Sequence, residues 1–210
     1  KASGIEALTI ANDAAATVTW TGDITTTKGY ATGIVAGTKG NDADAIVTFT
    51  GALKTSSNYA DGISATTDGT GSDIVITPAG SITTNGDYAE GIAAITFAAD
   101  SDITITSSAA ISTAGYMSHG ISAIAQADSQ ITIQSTGAII TTGAEADRIH
   151  TVALGANTAT KITATGDLRL FAWDTRNRLV SVTDKTKAGV VTQTVVYTYD
   201  ALDRRISEAV

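Results

Sequence analysis

The sequence predicts an all-β fold: a parallel β-helix with three short strands per coil and right-handed winding, followed by a short segment rich in β-hairpins. Three observations predict it. The block "ITTTKGYATGI" at residues 24–34 returns, little changed, as "LKTSSNYADGI" (53–63), "ITTNGDYAEGI" (82–92) and "ISTAGYMSHGI" (111–121). Its interval is nearly constant, since Ile24, Leu53, Ile82, Ile111, Ile139 and Leu168 lie 29, 29, 29, 28 and 29 residues apart, and a fixed period of that length marks a stacked repeat. Finally, 43% of the residues are hydrophobic but only 5% are aromatic, with one proline among 20 glycines, so small and β-branched side chains must fill the interior.

Within each period three patches recur. Gly-x-Ile-x-Thr comes first (Gly22, Ile24, Thr26; Gly51, Leu53, Thr55; Gly80, Ile82, Thr84), then Ala-x-Gly-Ile-x-Ala (Ala31 to Ala36, Ala60 to Ala65, Ala89 to Ala94). The third is an alternating apolar pair, aligned by size as Val18/Trp20, Val47/Phe49, Ile74/Ile76, Ile103/Ile105 and Ile131/Ile133. Each patch alternates with a period of two, which reads as a strand, and a helical-hairpin repeat would need the period of 3.6 that is absent here. Successive coils therefore stack about 4.8 Å apart, wound right-handed because parallel crossovers are overwhelmingly so. Ile34, Ile63, Ile92 and Ile121 fall in one inward column; Tyr30, Tyr59 and Tyr88, followed by Met117, fall in another. The glycine before each inward isoleucine is expected at a corner between faces. Arg148 replaces it in the fifth copy, so that coil is expected to be distorted or near the end.

Charge and composition exclude several function classes. Net charge is −8, and residues 1–160 hold five Lys/Arg against fifteen Asp/Glu, whereas 161–210 hold eight against six. An acidic body repels a phosphate backbone, which argues against a nucleic-acid partner. With no cysteine there is no disulfide or thiolate metal site. No apolar run approaches the roughly 18 residues of a membrane helix, so membrane insertion of this segment is not expected. A chain opening at Lys1 is expected to be a processed form or a fragment.

The Gly-x-Ile-x-Thr…Tyr-Ala-x-Gly-Ile-x-Ala pattern of residues 1–168 resembles the repeats of autotransporter-like and other large secreted bacterial surface proteins. That resemblance implies an extracellular location. The tail, residues 169–210, is different text: "LFAWDTRNRLVSVTD" and then "VVYTYDALDRRISEAV". Trp173-Asp174 and Tyr199-Asp200 are 26 residues apart, each followed by an arginine and an apolar residue (Arg178-Leu179, Arg205-Ile206). With Tyr197 and Arg204 they resemble the Rhs or YD repeat, Tyr-x-Tyr-Asp-x-x-Gly-Arg, in which Asp203 and Asn177 stand where that family has glycine. The alternating apolar positions themselves, Leu170/Ala172, Leu179/Ser181 and Val195/Tyr197/Tyr199, read as hairpin strands expected to cap the β-helix or join it to a neighbour. In that family many repeats enclose a toxin; two copies cannot.

Candidate chemistry is sparse. Asp42, Asp44, Asp68, Asp73, Asp100 and Asp102, with Asp13 and Asp128, fall in the turn before the third strand. Stacked rung on rung they form an acidic edge able to hold a divalent cation, with Ca²⁺ the one cofactor to consider. The alternative is a solvated turn, because Asp tolerates turn conformations, and no calcium-repeat motif is present. His119 and His150 are the only histidines; a metal or acid/base role would need a carboxylate partner such as Glu90 or Asp147. His119 shares the slot before glycine with Thr32, Asp61 and Glu90, which predicts an outward, surface position. The tyrosine column reads either as a carbohydrate-binding strip or as a packing ladder. Outward threonines (Thr19/Thr21, Thr48/Thr50, Val75/Thr77, Thr104/Thr106, Thr132/Gln134) approach an ice-binding array, or simply a wet strand face.

The sequence thus predicts a non-enzymatic, extracellular structural module: a stalk, or a fibre formed by copies or a longer parent chain stacking end to end. A polysaccharide-binding or polysaccharide-degrading β-helix is the alternative, and a fragment of an Rhs-type toxin-delivery protein a further one.

Overall fold

The structure is a computed structural model. It describes residues 3–126, 128–154, 156–164, 168–173, 179–185, 191–200 and 204–209. The chain divides into two compact units, Lys1–Thr163 and Ala164–Val210. Among the described residues every regular element is a strand, and no helix is long and apolar enough to cross a membrane.

The first unit is a parallel β-solenoid. One sheet stacks β1 (Ile5–Thr9), β4 (Ile34–Thr38), β6 (Ile63–Thr67), β8 (Ile92–Thr96), β11 (Ile121–Ala125) and β14 (Ile149–Ala153) in that order. The facing sheet contains β2 (Ala16–Thr21), β3 (Ile24–Thr26), β5 (Ala45–Thr55), β7 (Ile74–Thr84), β9 (Ile103–Ser107), β10 (Ala110–Thr113), β12 (Gln130–Ser135), β13 (Ile139–Thr141) and β15 (Ala159–Ala164). Two of the three predicted patches therefore share one sheet. In β5 and β7 they fuse into single strands of 11 residues, which pass through Gly51 (φ 150°) and Gly80 (φ 102°), backbone that only glycine enters easily.

The inward columns are in register throughout. Ile5, Ile34, Ile63, Ile92, Ile121 and Ile149 pair along the first sheet, and Ile24, Leu53, Ile82, Ile111 and Ile139 along the second. From Ile34 to Ile121 these side chains are 0–1% exposed. One predicted alignment is corrected. Val47 pairs with Ile76 and Ala45 with Ile74, while Phe49 faces Pro78, so the coils carrying Val18/Trp20 and Val47/Phe49 are offset by two residues from the alignment by size. A slip of two leaves every side chain on its original face, which is why periodicity alone could not detect it.

The glycine before each inward isoleucine is explained by close approach. A Cβ on Gly33 would lie 2.7 Å from the Gly62 carbonyl oxygen, one on Gly62 2.5 Å from that of Gly91, and one on Gly120 2.5 Å from that of Arg148. Each member is pressed against the coil after it. Arg148 itself lies in the coil of β14, the last strand of its sheet.

The second unit is an antiparallel meander of β16 (Leu168–Trp173), β17 (Leu179–Lys185), β18 (Val191–Tyr199) and β19 (Arg205–Ala209). Leu168, counted above as a sixth anchor of the solenoid, pairs with Lys185 in this meander.

Candidate functional site

Two corners recur in every coil, and both turn through a residue in left-handed backbone. At the corner after the first sheet that residue is Asp13, Asp42, Gly71, Asp100, Asp128 or Asn157, types that tolerate the conformation. Inside this corner Ser72 Oγ accepts the Ala43 N–H (3.0 Å) and Ser101 Oγ accepts the Ser72 N–H (3.2 Å). At the other corner the same slot holds Tyr30 (φ 59°), Tyr59 (φ 57°), Tyr88 (φ 52°), Met117 (φ 48°) and Glu145 (φ 56°). For bulky side chains this costs of order 1–3 kcal/mol each and persists only where the surroundings enforce it.

Those surroundings are visible on both sides of the backbone. Inside, Thr55 Oγ1 donates to the Ala60 carbonyl (2.6 Å), as Thr84 does to Ala89 (2.7 Å) and Thr113 to Ser118 (2.6 Å). Outside, Tyr30 and Tyr59 stack with centroids 5.7 Å apart, Tyr59 and Tyr88 stack at 5.1 Å and 4°, and Tyr116 meets Tyr88 edge-on at 5.5 Å. Each such contact contributes about 0.5–1.5 kcal/mol and offsets the strain. The column is half-exposed, and both faces of Tyr59 point at neighbouring rings.

The acidic edge has a role that the sequence did not reveal. Asp44 Oδ1 accepts the backbone N–H of Asp73 (2.9 Å), Asp73 that of Asp102 (2.8 Å), and Asp102 that of Gln130 (2.7 Å). Asn41, Asn58, Asp61 and Asp87 each do the same for the next coil. These side chains carry the sheet hydrogen bonding around corners where the backbone carbonyls have turned away. Asp42 and Asp100 occupy the left-handed slot, and Asp68 lies 4.0 Å from the Lys39 ammonium. Burial, together with the charges of Asp102 and Asp44, raises the carboxyl of Asp73 above its ordinary range, against the lowering effect of its bond from the Asp102 N–H.

One group departs from the columns. His119 follows Thr32, Asp61 and Glu90 in the slot before glycine, with Asp147 beneath it; His150 follows Ser64, Ala93 and Ser122 on the outer face of the first sheet. His119 is 8% exposed, which corrects the predicted surface position: the coils above and below cover this slot, and Thr32 is 1% exposed in the same column. The Asp147 N–H donates to His119 Nδ1 (3.0 Å), and His150 Nδ1 lies 3.3 Å from Asp147 Oδ2. The imidazoles stack at 4.5 Å and 11°. Burial and the neighbouring His150 hold His119 below its ordinary pKa, opposed by Asp147 and Glu90. Bonding to His150 holds the Asp147 carboxyl down. Among the described residues this is the one set of three potential ligand side chains whose donor atoms all lie within 4.8 Å of one another.

In the tail, the Tyr-Asp motif closes the β18–β19 turn. Asp200 accepts the Arg204 N–H (2.9 Å) and Nε–H (2.7 Å), and the Arg205 guanidinium lies 5.2 Å from the centre of the Tyr197 ring. Tyr199 pairs with Arg205 across a bulge. Trp173 pairs with Leu179 in the first hairpin, while Asp174 lies outside the described residues. Compared with known proteins, the chain matches no family model, no curated protein and no solved structure.

Proposed function

We propose that the chain is a structural module of an extracellular bacterial surface protein, a stalk segment and not an enzyme. The observation that carries this reading is the redundancy of the joints between coils. Each coil is tied to the next by backbone ladders, by inward apolar columns and by side-chain acceptors at the corners. Selection for like residues at like positions favours mechanical continuity, whereas catalysis needs unlike residues converging. Six rungs in the first sheet supply about 24 Å of axial length at the usual strand spacing.

Two measurements test it. Protease added to intact cells should remove the chain without lysis; full protection inside unlysed cells sinks the surface assignment. A screen on uronic-acid and neutral polysaccharides should show no turnover; turnover lost in Asp102→Asn would establish the rival carbohydrate-active reading. A fibre of end-to-end copies is the narrower version of the proposal, and it requires the coil that bears Arg148 to yield around that side chain where a second copy stacks on it.

A further inference from the structure

We propose that His119, Asp147 and His150 bind one divalent first-row transition ion, with zinc the preferred occupant. Imidazole and carboxylate suit zinc, whose ligands lie about 2.0–2.2 Å from the metal. Donor atoms around a tetrahedral ion of this kind are then about 3.3–3.6 Å apart. Here His150 Nδ1 is 3.3 Å and His119 Nδ1 3.8 Å from Asp147 Oδ2, and the whole set spans no more than 4.8 Å. Closing the site draws the widest pair of donors together by about 1 to 1.5 Å, which side-chain rotation of the half-exposed Asp147 and His150 supplies.

The protonation chemistry is compatible. His119 Nδ1 accepts an N–H, so its lone pair already points toward Asp147 and its proton sits on Nε2. His150 presents Nδ1 to a carboxylate, which can only accept, so its proton sits on Nδ1. When the ion binds, that proton moves to Nε2 of the same ring, Oδ2 of Asp147 becomes a ligand, and His119 Nδ1 exchanges the Asp147 N–H for the ion. No net proton is released from the neutral pair. Asp147 and His150 are 42% and 37% exposed in their side chains, so the ion has an entry path and water completes its coordination.

The site stands apart from the stalk reading. The chain has two histidines and no cysteine, so the preferred zinc ligands are all in this group. Calorimetric titration of the intact chain with zinc chloride should show one site, with the ring resonances of both histidines shifting together in NMR. His150→Gln and His119→Gln should each weaken binding more than the roughly 10–100-fold typical of losing an outer-shell partner. His119→Gln keeps an oxygen for the Asp147 N–H, and unchanged circular dichroism would show that the coil survives. Calcium and magnesium at equal concentration should leave the resonances unmoved. No histidine shift at millimolar zinc, or equal zinc affinity in the double variant, overturns the proposal.

Discussion

Thr67 and Thr84 are both 0% exposed, yet they have opposite standing. Thr84 Oγ1 donates to the Ala89 carbonyl across its corner, whereas Thr67 Oγ1, like those of Thr38 and Thr96, has no partner among the described residues. Thr84→Val strands a buried carbonyl and should cost about 1–3 kcal/mol, while Thr67→Val removes an unsatisfied hydroxyl and should be neutral or mildly stabilising. Urea denaturation of the two variants decides it; equal losses would mean that the orphan column is satisfied in solution. The inward isoleucines provide the scale for comparison. Ile92→Ala should cost roughly 2–5 kcal/mol as a large-to-small core change, and Glu90→Ala, two residues away, less than about 0.5 kcal/mol. Alternation puts these threonines on the face of the inward columns, in step with Ile63 and Ile82. It could not show which would find an acceptor, since that depends on how tightly each corner folds back.

The strands were legible because their signal is local, and the corners were not because theirs is not. Ile, Leu and Val at alternate positions declare a strand from a few residues alone. The partner of Asp73 is the N–H of Asp102, 29 residues away, so a turn-favouring aspartate and a coil-joining one look identical in text. The two can be separated by experiment. Asp73 has its carboxyl raised by burial and by Asp102 and Asp44, so the protonated form is favoured by folding. Its contribution is fully present below the unfolded-state pKa and is lost as pH rises through the raised folded value. Asp73→Asn keeps the accepting oxygen and removes the charge; it should raise Tm at neutral pH, with the advantage vanishing in acid. A lower Tm at pH 7 would show that the carboxylate charge, not merely its oxygen, holds the joint. The histidine group was half legible: the two histidines stood out, with Glu90 or Asp147 as the carboxylate, but the burial of His119 arises from coils stacked above and below.

At the scale of the whole molecule, a solenoid is nearly additive, each coil contributing its own stability and one interface with its neighbour. The carbonyls that press on Gly33, Gly62, Gly91 and Gly120 give this addition a direction. Every coil through that of Gly120 can accept a successor only because it lacks a Cβ at one point. Arg148 has one, aimed where a further carbonyl would have to pass. A copy of residues 108–135, which begins at the position equivalent to the one after Ala164, inserted after Ala164 should therefore leave the urea m-value, which tracks buried surface, close to that of the parent chain. The same insertion with Arg148→Gly should raise the m-value in proportion to the added coil. An equal rise with arginine in place would show that the backbone yields around the side chain. Glycine here acts as permission to continue and arginine as its withdrawal, so the rod has a polarity and a full stop, and its length is set by where a single methylene is allowed to appear.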